Sequence, residues 1–177
     1  MSRPIFFVGM PGAGKSTIGR KLAATLHVPF FDLDEYLEEK EGSAIRQIFS
    51  SHGEVYFREI EARSLRALAT QAPGSVIATG GGAPCFHNSM AYMNQHGTTV
   101  YLKAPITVLL ERLTGHGREQ RPLVAGKSTE EIKQFLTETL AKRKQFYETA
   151  HITYQNLTRE RDVTDLCHLI ARLETTC

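Results

Sequence analysis

Five short apolar runs recur along the chain, and each is followed by a more polar segment with helical spacing. The runs cover residues 5–8, 28–31, 75–79, 98–102 and 152–154. Most of them lack the alternation of apolar and polar residues that a half-exposed strand shows, which is typical of parallel strands covered on both faces. Strands that alternate with helices in this way predict an α/β fold around a parallel sheet.

The segments between the runs carry apolar residues three or four positions apart, as on one face of a helix. Three such faces are Ile18, Leu22 and Leu26; Phe57, Ile60, Ser64 and Leu68; and Ile106, Leu109, Leu110 and Leu113. Pro105 suits the first turn of the third helix, and Ser128 with Glu131 predicts a capping box that opens a further helix. Residues 114–127 are rich in glycine and charge and predict a mobile loop, whereas residues 156–162 form a polar connection before the last helix.

Composition narrows the class of protein and of partner. A length of 177 residues suits one domain, and 21 Lys and Arg against 19 Asp and Glu leave a net charge of only +2. That balance does not favour a nucleic-acid or membrane partner. Cys85, Cys167 and Cys177 lack metal-ligand spacing and indicate a reducing compartment. Because the chain also lacks a signal peptide and a run of ~20 apolar residues, we expect a cytoplasmic single domain. A monomer is the expected state.

Residues 9–16, GMPGAGKS, match the phosphate-binding pattern G-x-x-x-x-G-K-[ST]. The motif follows the first predicted strand and opens the first predicted helix, which is the arrangement that the pattern requires. Backbone N–H groups of such a loop and the positive end of the helix bind phosphate oxygens. We expect Lys15 to reach the β- and γ-phosphates and the Ser16 hydroxyl to ligate Mg²⁺. The predicted ATP-binding residues here are Gly12, Ala13, Gly14, Lys15, Ser16 and Thr17.

The other motifs favour a small kinase over other phosphate-loop proteins. A GTPase would carry D-x-x-G and N-K-x-D motifs, and neither occurs in this sequence. A motor or transporter ATPase would need a longer chain. We therefore expect transfer of a γ-phosphoryl group to a compact acceptor, which requires a bound metal, an acceptor site and cations beside the moving group.

Two carboxylates follow the second apolar run, in VPFFDLDE. Because side chains two apart on a strand point the same way, we expect both to face the phosphate loop. Asp32 then suits the Mg²⁺ site, through water, and Asp34 suits the acceptor hydroxyl, as a base or as an orienting group. The alternative is that one of them caps the helix starting near Glu35.

Two further features remain ambiguous by themselves. Arg58 and Glu61 are three apart on a predicted helix, so they are neighbours there, either at a functional site or as a surface ion pair. Gly80, Gly81 and Gly82 follow the third apolar run and predict either a plain flexible turn or a place that needs bare backbone. Cys85 is interpreted as a small buried residue, and the seven histidines show no metal-ligand spacing.

Taken in order, these motifs resemble the shikimate kinase family over nearly the whole chain. The resemblance is carried by GMPGAGKS, the DLD of residues 32–34, FREIE of 57–61, TGGG of 79–82, RPL of 121–123 and KRKQFY of 142–147. It implies a three-layer P-loop kinase fold with a five-stranded parallel sheet in the order 2-3-1-4-5 and a mobile lid. The implied reaction is ATP- and Mg²⁺-dependent phosphorylation of the 3-hydroxyl of shikimate, in the route to the aromatic amino acids.

The resemblance also implies roles for individual residues. Residues 33–62 would form the shikimate-binding segment and 113–127 the lid, within one kinase domain of residues 1–177. The residues implied to hold shikimate are Asp34, Arg58, Gly80, Gly81, Gly82 and Arg143, with Glu61 bracing Arg58. Lys15, Asp34 and Arg121 would be catalytic, and Arg121 would also contact ATP from the lid. Arg112 and Arg159 would sandwich the adenine, with Arg118 as a competing candidate.

Two rival functions stay open. Gluconate also carries a carboxylate, so a gluconate kinase of the same fold would also need arginines in its acceptor site. A nucleotide-dependent binding module without turnover is the other alternative, although such a module has little use for Lys15, Asp34 and Arg121 together.

Overall fold

A five-stranded parallel sheet forms the centre of the molecule in the computed structural model, which describes residues 3–115, 126–155 and 163–174. Its order is β2-β3-β1-β4-β5, as expected for the predicted fold class. The strands are β1 (Ile5–Val8), β2 (Phe30–Asp32), β3 (Val76–Ala78), β4 (Thr98–Lys103) and β5 (Ile152–Gln155). In the centre of the sheet, Phe6 lies opposite Ile77 on one side and Thr99 on the other.

Seven α-helices are present in the described part of the chain. They are α1 (Lys15–Leu26), α2 (Leu33–Glu41), α3 (Ile45–Gln71), α4 (Ser89–His96), α5 (Ile106–Thr114), α6 (Thr129–Tyr147) and α7 (Thr164–Glu174). The strand order sends the β1–α1–β2 connection one way across the sheet and the later connections the other way. Because parallel crossovers are right-handed, α1 covers one face and α3 to α6 the other, which gives the three layers.

The main core lies along the central strands. Ile5, Phe6, Phe7 and Val8 are all 0% exposed, so β1 has no solvent-facing side. This burial on both faces explains why the strand shows no polar alternation. A second, smaller cluster joins α2 to α3 through Leu37, Ile48, Phe57 and Ile60. The segment 33–62 therefore has packing of its own, next to the main core.

Several predicted boundaries shift because of local backbone chemistry. The second strand ends at Asp32, whose carboxylate accepts a hydrogen bond from the Asp34 N–H and so starts α2 at Leu33, two residues before the predicted start at Glu35. The helix that carries the predicted face of Phe57, Ile60, Ser64 and Leu68 begins well before that face, at Ile45, and the left-handed φ of 78° at Gly53 interrupts it. The capping box of Ser128 and Glu131 is present at the start of α6.

Within the described ranges, no helix is both long enough and apolar enough to cross a bilayer. The two cysteines in those ranges, Cys85 and Cys167, are not joined by a disulfide, and both are half-buried, so Cys85 is less buried than predicted.

Candidate active site

The phosphate loop joins β1 to α1 at the carboxyl edge of the sheet. Gly14 caps α1 with a left-handed φ of 93°, a conformation that side chains rarely adopt. A Cβ on Gly9 would lie 2.7 Å from the Leu102 carbonyl oxygen, so a larger residue cannot fit there without moving β4. Ser16 and Thr17 follow in the first turn of α1, where helix N–H groups are free to meet phosphate.

Lys15 folds back over this loop. Its Nζ donates to the carbonyl oxygens of Gly9, at 2.9 Å, and Met10, at 3.1 Å. The residue is partly exposed, but its ammonium group is enclosed by protein, and burial lowers its pKa to about 8. The charges of Asp34 and Asp32 oppose that shift. The loop therefore holds a cation close to both carboxylates.

Asp32 contacts both the loop and the helix that follows it. Its Oδ2 accepts from the Ser16 hydroxyl at 2.6 Å, and its Oδ1 accepts from the Asp34 N–H at 3.1 Å. Asp32 is thus a helix cap, as the alternative interpretation proposed, but it also meets the predicted metal-binding serine. At the end of the neighbouring strand, Thr79 donates to the Phe7 carbonyl at 2.9 Å.

Asp34 reaches the site for a different reason from the one predicted. It lies on α2 rather than on a strand, so strand alternation does not direct its side chain. Its carboxylate nevertheless lies beside Lys15, and burial together with the charge of Asp32 raises its pKa to about 6. Lys15 opposes that rise by its charge. The prediction that both carboxylates lie near the loop is correct, although the strand argument for it was wrong.

Arg58 and Glu61 form a largely buried pair on α3. Nη1 of Arg58 donates to Glu61 Oε2 at 2.8 Å, and the two side chains are 11% and 3% exposed, which excludes a surface ion pair. Glu54, which the sequence interpretation missed, accepts from Nε and Nη2 of Arg58 at 3.2 Å. Its position four residues before Arg58 was the available signal. Burial raises the pKa of Glu61 even though Arg58 opposes the shift.

The glycine run provides room rather than unusual backbone angles, since none of the three residues adopts left-handed φ. A Cβ on Gly80 would lie 2.8 Å from Glu61 Oε1 and 2.9 Å from Asp34 Oδ1. On Gly82 it would lie 2.7 Å from both Nη atoms of Arg58. The run is therefore a wall against which charged side chains pack closely, not a plain flexible turn.

Arg143 reaches the same wall from α6. Its Nη1 lies 3.1 Å from the place of a Cβ on Gly81, and Pro11 of the phosphate loop lies on that position as well, at 3.0 Å. The aromatic rings of Phe57 and Phe86 lie 5.0 and 4.5 Å from the Arg58 guanidinium. Side chains from α2, α3 and α6 thus converge on glycines 80–82, next to the phosphate loop.

Arg112, at the end of α5, lies against the back of the phosphate loop. Its Nη1 donates to the Ala13 carbonyl at 3.3 Å and lies 3.5 Å from the Gly12 carbonyl. Arg118, Arg121 and Arg159 lie outside the described residues, as does most of the predicted lid.

A separate cavity of about 260 Å³ lies where β4 meets α5 and α6, lined by Tyr101, Lys103, Ala104, Pro105, Ile106, Leu140, Lys144 and Gln155. None of the predicted site residues lines this cavity. The candidate active site is therefore identified by its charged side chains and its backbone geometry, and not by this cavity. In the described part of the chain, no group of three or more His, Cys, Asp or Glu residues could hold a metal by itself. A metal ion in the candidate active site would therefore also need ligands other than these four residue types, such as hydroxyl or phosphate oxygens.

Comparisons with known proteins address the family to which the chain belongs. A family model for shikimate kinase matches residues 11–171. A shikimate kinase of Parabacteroides distasonis is 42% identical over 171 residues, which is 96% of this chain and 98% of the relative. The crystal structure of shikimate kinase from Bacteroides thetaiotaomicron superposes with a TM-score of 0.85 at 38% identity, covering 98% of this chain and 97% of that one.

A further solved structure contains bound shikimate. Shikimate kinase from Acinetobacter baumannii in complex with shikimate matches with a TM-score of 0.81 at 36% identity, over 98% of this chain and 93% of that one. The matches cover nearly the full length of both partners, at identities that establish common family as well as common fold. The chain therefore belongs to the shikimate kinase family.

Proposed function

We propose that the chain transfers the γ-phosphoryl group of ATP to the 3-hydroxyl of shikimate, and that the acceptor binds against glycines 80–82. The observation that carries this placement is the convergence of Asp34, Arg58 and Arg143 on the glycine wall, beside the phosphate loop. A bare wall with two cations and a carboxylate suits a small polyhydroxylated acid. Its carboxylate would meet the arginines and its hydroxyls would meet Asp34.

The two arginines supply complementary recognition of the acceptor carboxylate. A guanidinium donates two parallel hydrogen bonds to a carboxylate, which a lysine cannot imitate. Glu54 and Glu61 occupy Nε, Nη1 and Nη2 of Arg58 and so fix its plane. Each Nη atom keeps a further N–H, and both Nη atoms lie against the Gly82 side of the wall.

Asp34 is placed to orient the attacking hydroxyl. Its carboxylate lies near Lys15, which belongs to the phosphate loop, and also beside Gly80 of the acceptor wall. It therefore lies at the boundary between the two substrates, where a hydrogen bond from the hydroxyl would aim the oxygen at the γ-phosphate. With a pKa of about 6, Asp34 is largely ionised at neutral pH and accepts that bond.

Ser16 and Asp32 would hold Mg²⁺, and their chemistry fits it. Hard oxygen ligands suit this ion, and a hydroxyl and a carboxylate oxygen already lie 2.6 Å apart at the start of α1. When bound, the ion would neutralise charge on the phosphate oxygens. Lys15 would add a second positive charge from within the loop.

The remaining assignments stay predictions. Arg121 would close over the phosphates from the lid, and Arg112 with Arg159 would stack on the adenine. The cytoplasm remains the expected place of action. A monomer without nucleic-acid or membrane partners remains the expected state.

The test measures ADP release with shikimate, with gluconate and without acceptor. We expect ADP release when shikimate is the acceptor, and none with gluconate or without an acceptor. Arg58→Ala should raise the KM for shikimate about ten- to a hundred-fold, because a hydrogen-bonded charge pair is lost, with the KM for ATP unchanged. Arg63→Ala is the matched control, since Arg63 is exposed on the same helix and should change neither constant.

Turnover with gluconate but not shikimate would overturn the acceptor assignment. ADP release that ignores the acceptor would indicate an ATPase. If Arg58→Ala raised the KM for ATP instead, α3 would belong to the nucleotide site.

A further inference from the structure

Tyr147, the last residue of α6, is directed at the middle of the glycine wall. The residue is 0% exposed, and its hydroxyl donates to the Gly81 carbonyl oxygen at 2.5 Å. The sulfur of Met10, in the phosphate loop, lies 3.9 Å from the same hydroxyl. A buried hydroxyl costs free energy unless it is hydrogen-bonded, so this contact defines where the ring and the Gly81 peptide lie.

The carbonyl groups of the glycine run are held in two different ways. The Gly80 oxygen accepts from the Ala83 N–H at 3.2 Å, and the Gly82 oxygen accepts from the Cys85 N–H at 2.9 Å. Both are local turns. The Gly81 oxygen depends instead on Tyr147, 66 residues further along the chain. Because glycines have the greatest backbone freedom, the middle of the wall needs this long-range contact to stay in one place.

Tyr147 also lies next to the arginine that reaches the wall. Arg143 precedes it by four residues on α6, so the two side chains share a helix face. Burial raises the pKa of the Tyr147 phenol, and the charge of Arg143 and a hydrogen bond from it oppose that rise. The phenol remains protonated, and it can donate to Gly81 while it accepts from Arg143.

The ring of Tyr147 connects these groups to the phosphate loop. Its centroid lies 5.2 Å from that of Tyr101 on β4, and Tyr101 in turn lies 3.5 Å from the place of a Cβ on Gly9. One buried side chain therefore contacts the acceptor wall, Arg143 and the base of the phosphate loop.

We propose that Tyr147 is a positioning residue, which holds the Gly81 peptide and the Arg143 guanidinium in register with the phosphate loop and so sets where the acceptor carboxylate binds. The proposal rests on the proposed function, because it assumes that the acceptor lies against the glycine wall. It adds a residue that touches neither substrate and acts through two groups that do.

Tyr147→Phe tests the proposal, because it keeps the ring and removes the hydroxyl. We expect the KM for shikimate to rise about three- to ten-fold, which corresponds to one neutral hydrogen bond, with the KM for ATP within two-fold of the parent. Tyr101→Phe is the matched control. It removes the hydroxyl from the tilted partner ring but keeps that ring in place, and among the described residues this hydroxyl makes no hydrogen bond to Gly81, so both constants should stay unchanged.

A double-mutant cycle separates positioning from general stability. If Tyr147 acts through Arg143, Tyr147→Phe should raise the KM for shikimate much less in an Arg143→Ala background than in the parent. The inference would be overturned if Tyr147→Phe raised the KM for shikimate by the same factor in both backgrounds, or left it unchanged in the parent. The proposed function would still stand if Arg143→Ala raised that KM. An unchanged KM in Arg143→Ala would overturn the proposed acceptor site itself. If Tyr147→Phe fails to fold, the phenol supports the fold rather than the register, and the inference is wrong.

Discussion

Gly80 offers the sharpest test of the acceptor wall, because its surroundings define the effect of one added methyl group. In Gly80→Ala the new Cβ would lie 2.8 Å from Glu61 Oε1 and 2.9 Å from Asp34 Oδ1. To reach the 3.4 Å of ordinary contact, these oxygens would have to retreat about 0.6 and 0.5 Å. Backbone strain adds nothing, because Gly80 does not adopt left-handed φ.

The size of the loss follows from that displacement. A misplacement of about 1 Å at a catalytic group costs about 10²-fold in rate, so half that distance at Asp34 costs roughly ten-fold in kcat. The methyl group also occupies the space that the acceptor ring needs, and we expect a further loss of roughly ten-fold in the KM for shikimate. Together kcat/KM for shikimate should fall about 10²-fold, equivalent to about 2.7 kcal/mol.

The assay measures ADP release with each substrate varied in turn at a saturating level of the other. Gly74→Ala is the control. Gly74 lies before the start of β3, whereas Gly80 follows its end, and Gly74 has a left-handed φ of 75°. It should lower the free energy of unfolding by about 1 kcal/mol and leave kcat/KM unchanged. A Gly80→Ala variant with a normal KM for shikimate and a raised KM for ATP would refute the reasoning.

Two further predictions concern stability. Because burial raises the pKa of Glu61, the native state disfavours its charge, and Glu61→Gln imitates the protonated form. Below the ordinary pKa of a glutamate the variant and the parent should unfold at similar temperatures, and as pH rises the parent should become the less stable of the two. Ser128→Ala removes the cap of α6, where Ser128 Oγ accepts from the Glu131 N–H at 3.2 Å, and should cost about 1 kcal/mol in denaturant unfolding without changing either KM.

Each of these has a contrary outcome. If Glu61→Gln melted below the parent at pH 8, the ionised pair with Arg58 would stabilise the fold and the charge would not be disfavoured. If Ser128→Ala raised the KM for shikimate, the start of α6 would control the position of Arg143, and the cap would not be a local feature.

The sequence predicted most of what depends on neighbouring residues. Strands buried on both faces appear as continuous apolar runs, and all five predicted runs overlap the strands of the sheet. The phosphate loop is recognisable because its backbone angles require glycine at fixed positions, such as Gly14, which has a left-handed φ before α1. The capping box at Ser128 is likewise a contact between residues three apart.

The limits of the sequence are clearest at Asp34 and Arg143. The alternation of side chains along a strand predicted that Asp34 lies beside the loop. In the structure the strand ends at Asp32, which caps α2, so Asp34 is already on a helix. Its carboxylate reaches Lys15 because of how α2 packs on the sheet. Arg143 is 62 residues from Gly81, and no local pattern connects them.

By itself, then, the sequence determined the alternation of strands and helices, the phosphate loop and the residue types that such a kinase needs. Only the tertiary structure decided that the glycine run is a wall for charged side chains, that Arg143 reaches this wall from α6, and that Tyr147 holds the Gly81 peptide. The physical reason is range. Backbone angles and amphipathic faces are set within a few residues, whereas close approach between α2, α3, α6 and the loop after β3 depends on the packing of the whole core.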